Sequence, residues 1–404
     1  MNRLLCTIAM AALMCANATA QQFDKFFADS TLRLDYIFAG DTSRQAIYVD
    51  GQCLMPRWDG RRQRLDELPV AGNGQITVKD KGSGQVIYRH SFSTLFQEWL
   101  ATAEAKHTSK SFENVFLVPY PRQAVDITVE LRDYHNRITA SLTHTVDPAD
   151  ILIRRIGFEH VTPYQTIQKA ADTTRCIHIA YVAEGYRSDE MEAFLNDAKD
   201  ATEALFAHEP FKQLRNRFNI VAVMSPSADS GTSEPANGIW KTTALSSHFD
   251  TFYSDRYLTT LNIKDLHDKL AGTPYEHIII FVNTAKYGGG GIYNRGNQFK
   301  PVVVHEFGHS FGGLGDEYKY GNDDPMYFPD TEPWEPNLTT KHNFKGKWEN
   351  LIKQGKASLI EGGGYQKQGV FRGVEKCRMR TNDVPDFCAV CQQALTRMID
   401  FYTK

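Results

Sequence analysis

Between His305 and Tyr318 the chain reads His-Glu-Phe-Gly-His-Ser-Phe-Gly-Gly-Leu-Gly-Asp-Glu-Tyr, and this stretch restricts the fold more than any other. An α-helix turns once in about 3.6 residues, so His305 and His309, four apart, project from one face and can share a metal ion. Two neutral imidazoles binding at about 2.0–2.1 Å suit zinc, and Glu306 beside them suits a general base acting on a water at such a metal. The apolar run Val302-Val303-Val304 leading into His305 marks a buried helix. A surface helix with two hydrogen-bonded histidines could carry the same motif, but it would need neither this apolar approach nor the residues that come next.

Those residues break the helix. Gly312, Gly313 and Gly315 can take positive φ at little steric cost, so the helix ends and the chain turns back toward the histidines. A third ligand is then expected close behind. The pattern resembles that of the metzincin peptidases, in which the glycine three residues after the second histidine makes this turn and the third ligand comes three residues later. Here that position is Gly315, which has no side chain. Asp316 follows and is the expected third ligand, one residue beyond the metzincin spacing, with Glu317 as the other choice. The expected site is one catalytic zinc held by His305, His309 and Asp316, with Glu306 as the base.

At 404 residues the chain is long enough for two or three domains, and 42% apolar with 23% charged residues is ordinary for a folded globular protein. A net charge of −3 and the lack of any basic run exclude a nucleic-acid partner. Residues 1–20 read as a secretory leader, with Arg3, an apolar stretch from Leu4 to Ala16, and Ala18-Thr19-Ala20 as the cleavage site. The protein is therefore expected to be exported, as a periplasmic, cell-surface or secreted molecule. That apolar stretch is shorter than the ~20 residues a membrane helix needs, and no longer one follows. Beyond the leader stand Cys53, Cys176, Cys377, Cys388 and Cys391; export permits disulfides, but five thiols cannot all pair.

From 21 to 150 the pattern alternates. Leu32, Leu34, Tyr36 and Phe38 share one strand face, and Val125, Ile127, Val129 and Leu131 alternate with polar residues. Further strands at 46–49, 85–92, 115–118 and 138–145, separated by Gly72-Asn73-Gly74 and Lys81-Gly82-Ser83-Gly84, predict an all-β sandwich. From 151 to 404 the pattern changes to continuous apolar strands at 176–182, 219–224 and 277–282, alternating with helices at 188–208 and 253–270. That order predicts an α/β domain with a mixed, mainly parallel sheet, followed directly by the metal helix. Between them, Tyr287-Gly288-Gly289-Gly290-Gly291-Ile292-Tyr293-Asn294 lacks the Gly-Lys-Ser/Thr of a phosphate cradle. It reads either as an edge that can pair with an extended peptide or as a loop of turns.

The tail holds a second cluster, Cys377-Arg378-Met379-Arg380 and Phe387-Cys388-Ala389-Val390-Cys391. Metzincins use a methionine in a tight turn as an apolar floor beneath the metal, and Met379 is the best-placed candidate. A second zinc needs four ligands, and along the chain only Cys377 adds to the Cys-x-x-Cys; a redox pair would normally open a helix after a strand. A disulfide from Cys377 to Cys388 or Cys391, bracing the Met379 turn, is the expectation.

With these motifs in hand, the chain resembles the IgA-peptidase family of bacterial zinc metalloendopeptidases. The likeness includes Ser230-Gly231-Thr232-Ser233, the run Trp240-Lys241-Thr242-Thr243-Ala244-Leu245, and Glu361-Gly362-Gly363-Gly364-Tyr365. It extends from about Cys176 to the C-terminus, and the sandwich resembles the N-terminal domain commonly attached in that family. The resemblance implies zinc-dependent endoproteolysis of a protein or peptide substrate, with His305 and His309 as ligands and Glu306 as base. Immunoglobulin A and other host or dietary glycoproteins are candidate substrates, since loops around a pocket set specificity. Thr381 stands where some metzincins carry a metal-reaching tyrosine, so oxyanion stabilisation is expected from Tyr293 or Tyr365. The rival reading is a non-catalytic surface binding or adhesion protein on the same scaffold; the intact Glu306 argues against it.

Overall fold

The computed structural model describes residues 23–288, 292–294, 299–320 and 325–404. The expected leader lies outside them. The alternating segments pair into two four-stranded sheets that share one core. One sheet runs in the order β5 (Lys110–Pro121), β1 (Phe27–Gly40), β2 (Gln45–Met55), β8 (Arg154–Arg155); the other runs β4 (Val86–Phe92), β3 (Gly74–Asp80), β6 (Val125–Arg132), β7 (Ile138–Val146). All pairs are antiparallel except β2 with β8. Leu32, Leu34, Tyr36 and Phe38 from one sheet meet Ile76, Val78, Ile127 and Val129 from the other, and helix α1 (Leu95–Trp99) adds Phe96 and Trp99 to that core. Strand β3, which lies inside its sheet, was not anticipated. Only Ile76 and Val78 alternate there between two turn signals, too short a period to stand out.

Strand β1 also departs from simple alternation. Residues 31–36 are buried on both faces; on the outer one Arg33, paired with Asp35, meets Asp268 and Lys264 from the second half of the chain. That half is built on a five-stranded sheet in the order β13 (Ile292–Asn294), β12 (His277–Val282), β10 (Ile177–Glu184), β11 (Phe218–Val223), β9 (Tyr164–Gln168). The first four are parallel and β9 is antiparallel. Strands β10 and β11 are buried at every residue. On one face they are covered by α2 (Met191–Phe206), α4 (Phe299–Ser310) and α6 (Ala389–Thr403); on the other they meet Leu245, Phe249, Leu266 and the sandwich residue Met55. A smaller antiparallel sheet, β14 (Leu338–Thr339), β16 (Gln366–Arg372), β15 (Ile360–Gly363), and the short α5 (Glu349–Lys353) complete the chain.

One expected helix is corrected. Of residues 253–270 only 263–270 form α3 (Ile263–Leu270). Ahead of it the backbone is spent elsewhere: Thr259 exchanges both its N–H and its carbonyl with His248, and the Thr260 hydroxyl donates to the Leu245 carbonyl. Phe252 and Tyr253 take positive φ.

Helix α3 docks on the sandwich through Arg33. The guanidinium is fully buried; it holds Asp35 at 2.7 Å, pairs with Asp268 and donates to the Lys264 carbonyl at 3.2 Å. Removing one partner of a buried ion pair strands the other charge, at a cost of about 3–5 kcal/mol. We therefore expect Arg33→Ala to lower the urea midpoint of unfolding sharply. Asp268→Ala, whose side chain is 52% exposed, should cost about 1 kcal/mol or less. Equal effects from the two variants would contradict this account.

Candidate metal centre

Helix α4 is anchored by Val302, Val303, Val304 and Phe307, all buried in the main core. Gly313 ends its last turn, with φ +60° and its N–H donating to the His309 carbonyl at 2.9 Å. Such a left-handed cap suits glycine. Gly312 is tighter still, since a Cβ there would lie 2.6 Å from the Gly308 carbonyl oxygen. The turn brings the Leu314 carbonyl back over the helix, where it accepts from His309 Nδ1 at 2.6 Å; the Arg378 carbonyl accepts from His305 Nδ1 at 2.8 Å.

Those two contacts fix the tautomers. A carbonyl can only accept, so each ring proton sits on Nδ1 and each neutral Nε2 carries a lone pair. The two Nε2 atoms face each other at 3.1 Å, and Asp316 Oδ1 lies 3.1 Å from His305 and 3.3 Å from His309. Three electron-pair donors thus form a small triangle. Tetrahedral zinc with arms of about 2.0–2.1 Å sets its ligand atoms roughly 3.3–3.4 Å apart, so the donor set and spacing fit that ion. Without a metal the pocket draws in a proton instead. Burial disfavours a charged His309, yet the Asp316 carboxylate outweighs it, with Glu306 adding to the effect, and the ring is pushed up to about 9. Burial likewise opposes ionisation of Asp316, but His309 and His305 hold its carboxyl well below the usual range. Either way, the pocket requires a positive charge.

Asp316 is held from both sides. Its Oδ2 accepts from the Tyr365 hydroxyl at 2.6 Å, and its carbonyl accepts from the Gly364 N–H at 2.7 Å. One residue earlier, the buried Asn337 side chain both accepts from the Gly315 N–H and donates to the Gly315 carbonyl, each at 2.8 Å. Glu317 points away from the triangle; its Oε1 accepts from Asn337 Nδ2 at 3.0 Å. The structure therefore groups Asp316, not Glu317, with the histidines. Glu306 is half-buried one residue after His305. Met379 is fully buried beneath the helix between the two histidines, where a Cβ on Gly308 would come 2.7 Å from its sulfur.

Other expectations change. The hydroxyl of Tyr365, anticipated with Tyr293 as an oxyanion donor, is directed to Asp316 Oδ2. The Tyr293 side chain lies outside the described residues, as do 289–291 of the glycine-rich segment; 292–294 form the edge strand β13. The tail disulfide is not formed: Cys377, Cys388 and Cys391 are free thiols, and Cys377 Sγ stands 3.6 Å from Cys391 Sγ, against about 2.05 Å for a bond. The reason is that four groups, not two, converge there. Asn337 escaped notice altogether, because an asparagine 22 residues from its partner leaves no local signal.

A helix presenting two lone-pair imidazoles and a buried aspartate defines a candidate three-ligand metal centre of the peptidase kind. Residues 165–360 match the family described as IgA Peptidase M64, and residues 22–143 match Peptidase M64 N-terminus. The chain belongs to the IgA-peptidase family, whose substrates are proteins. No curated protein matches it. Among the described residues no helix is long and apolar enough to cross a membrane.

Groups that orient a metal ligand typically contribute 10–100-fold to affinity. Tyr365→Phe keeps the ring but frees Asp316 Oδ2, so zinc affinity, titrated against a competing chelator, should fall by roughly that factor. Unchanged affinity would separate Tyr365 from the centre.

Proposed function

We propose that the protein is an exported zinc-dependent endopeptidase. The observation that carries this reading is the triangle of His305 Nε2, His309 Nε2 and Asp316 Oδ1, with both ring protons committed to carbonyls on the far side. These three atoms would hold the zinc. Bound there, the ion would acidify a water and polarise the scissile carbonyl. Glu306, adjacent on the same helix, accepts the proton of the attacking water and returns it to the leaving amine. Tyr365 and Asn337 keep Asp316 in place through the cycle, and Met379 closes the floor, in keeping with the metzincin likeness.

Substrate placement is read from the sheet. β13 is its edge strand and pairs only with β12 among the described residues, so an extended peptide can add alongside it by main-chain hydrogen bonds. Export rests on the leader at residues 1–20. Protein substrates, immunoglobulin A among them, are the class to test.

The discriminating experiment is cleavage of casein and immunoglobulins with and without a chelator, together with Glu306→Gln. The amide keeps the carboxylate's shape but cannot accept a proton, so turnover should drop by at least roughly 100-fold while metal content stays at the wild-type value. Full activity in Glu306→Gln would remove this residue from the mechanism. A wild-type chain that binds zinc but cleaves none of the substrates would favour the adhesive reading.

A further inference from the structure

The loop that supplies Asp316 and the tail that supplies Met379 meet a second time, one layer deeper. Cys377 Sγ, Cys388 Sγ, Cys391 Sγ and a Glu317 carboxylate oxygen all lie within 4.8 Å of one another. Cys391 Sγ is 3.6 Å from Cys377 Sγ and 3.3 Å from Glu317 Oε1. Tetrahedral zinc, with sulfur at about 2.3 Å and carboxylate oxygen at about 2.0–2.2 Å, spaces its sulfurs roughly 3.8 Å apart and sulfur from oxygen roughly 3.6 Å. The cluster is close to that geometry.

Three further observations point to a ligand. Glu317 is 1% exposed, yet its Oε2 is shielded from solvent without a hydrogen-bond partner among the described residues. A buried carboxylate oxygen left bare is costly, and a cation would satisfy it. Cys388 is the N-cap of α6, and its own N–H reaches Cys377 Sγ at 3.4 Å. N–H groups at a helix start favour thiolate over thiol. Finally, the buried Arg372 lies close enough to act on Glu317 electrostatically, which offsets part of the charge of three thiolates and a carboxylate.

We propose that Glu317, Cys377, Cys388 and Cys391 bind a second zinc ion in a closed, four-ligand structural site. Three thiols lose their protons on binding and no position remains open for a water, so the site is not catalytic. Its work is to clamp two segments together. Glu317 follows Asp316 directly, and its N–H donates to the Met379 carbonyl at 2.8 Å. Cys377 precedes Arg378, whose carbonyl orients His305. The clamp thus fixes a ligand of the first centre and the partner of another. It also gives Glu317 a task of its own next to the residue that competes with it in the motif.

The test uses the full chain, purified without chelator or reductant, with metal measured by mass spectrometry and thiols by peptide mapping. Two zinc ions per chain are expected in the wild type. The His305→Ala/His309→Ala variant should retain one, and Cys388→Ser should also retain one, with the affinity of the remaining first centre lowered by roughly 10–100-fold. If Cys388→Ser does not fold, cobalt loaded into the His305→Ala/His309→Ala chain must show a thiolate-to-metal charge-transfer band. Loss of all metal from the His305→Ala/His309→Ala chain, absence of that band, or a disulfide at Cys377 in the native wild-type protein would overturn the proposal.

Discussion

Lone pairs that face one another in a buried pocket repel, and nothing but positive charge relieves them. That constraint organises the centre of this protein. The rings cannot turn their protons inward, because Leu314 and Arg378 hold them outward. The aspartate cannot swing aside, because Tyr365 and Gly364 grip it. Each restraint comes from a different part of the chain, so the repulsion persists only while the whole fold is in place. A cation is then held by donors already arranged for it, with little left to reorganise.

What could be read from the sequence follows from how local the cause is. His305, Glu306 and His309 were legible because helical geometry relates them within one turn, and the glycines announced the reversal after them. Asp316 could be named but not separated from Glu317 by spacing alone; Tyr365 and Asn337, 49 and 20 residues from the carboxylates they bind, direct the two apart. β6 was visible as alternation, and β10 and β12 as apolar runs. The helix expected over 253–270 failed because Thr259 and Thr260 bond to a loop that no helical periodicity reveals. Counting cysteines suggested a disulfide because the count omitted a carboxylate distant in sequence and adjacent in space.

The sandwich is more than an attachment. Val70 packs against Gly313, with its Cγ1 3.2 Å from where a Cβ would stand. The turn between β6 and β7 stacks Tyr134 on Trp334 and His135 on Phe328, gripping the loop that leads to Asn337. The first domain therefore touches both the turn that ends the metal helix and the approach to the residue that clamps Gly315. A change in the sandwich can reach the centre through packing alone.

The reach of Arg33 gives that contact a direction in time. Its partner Asp268 is 235 residues further along, so a ribosome has released the whole β-sandwich long before α3 exists. During that interval the face of β1 carrying Arg33 and Asp35, and the side chain of Met55, have no second half to cover them. Docking must wait until α3 and the parallel sheet have been made, and the tail that orients His305 emerges later still. The chain is thus assembled from its support toward its chemistry, and the centre is among the last features that synthesis completes.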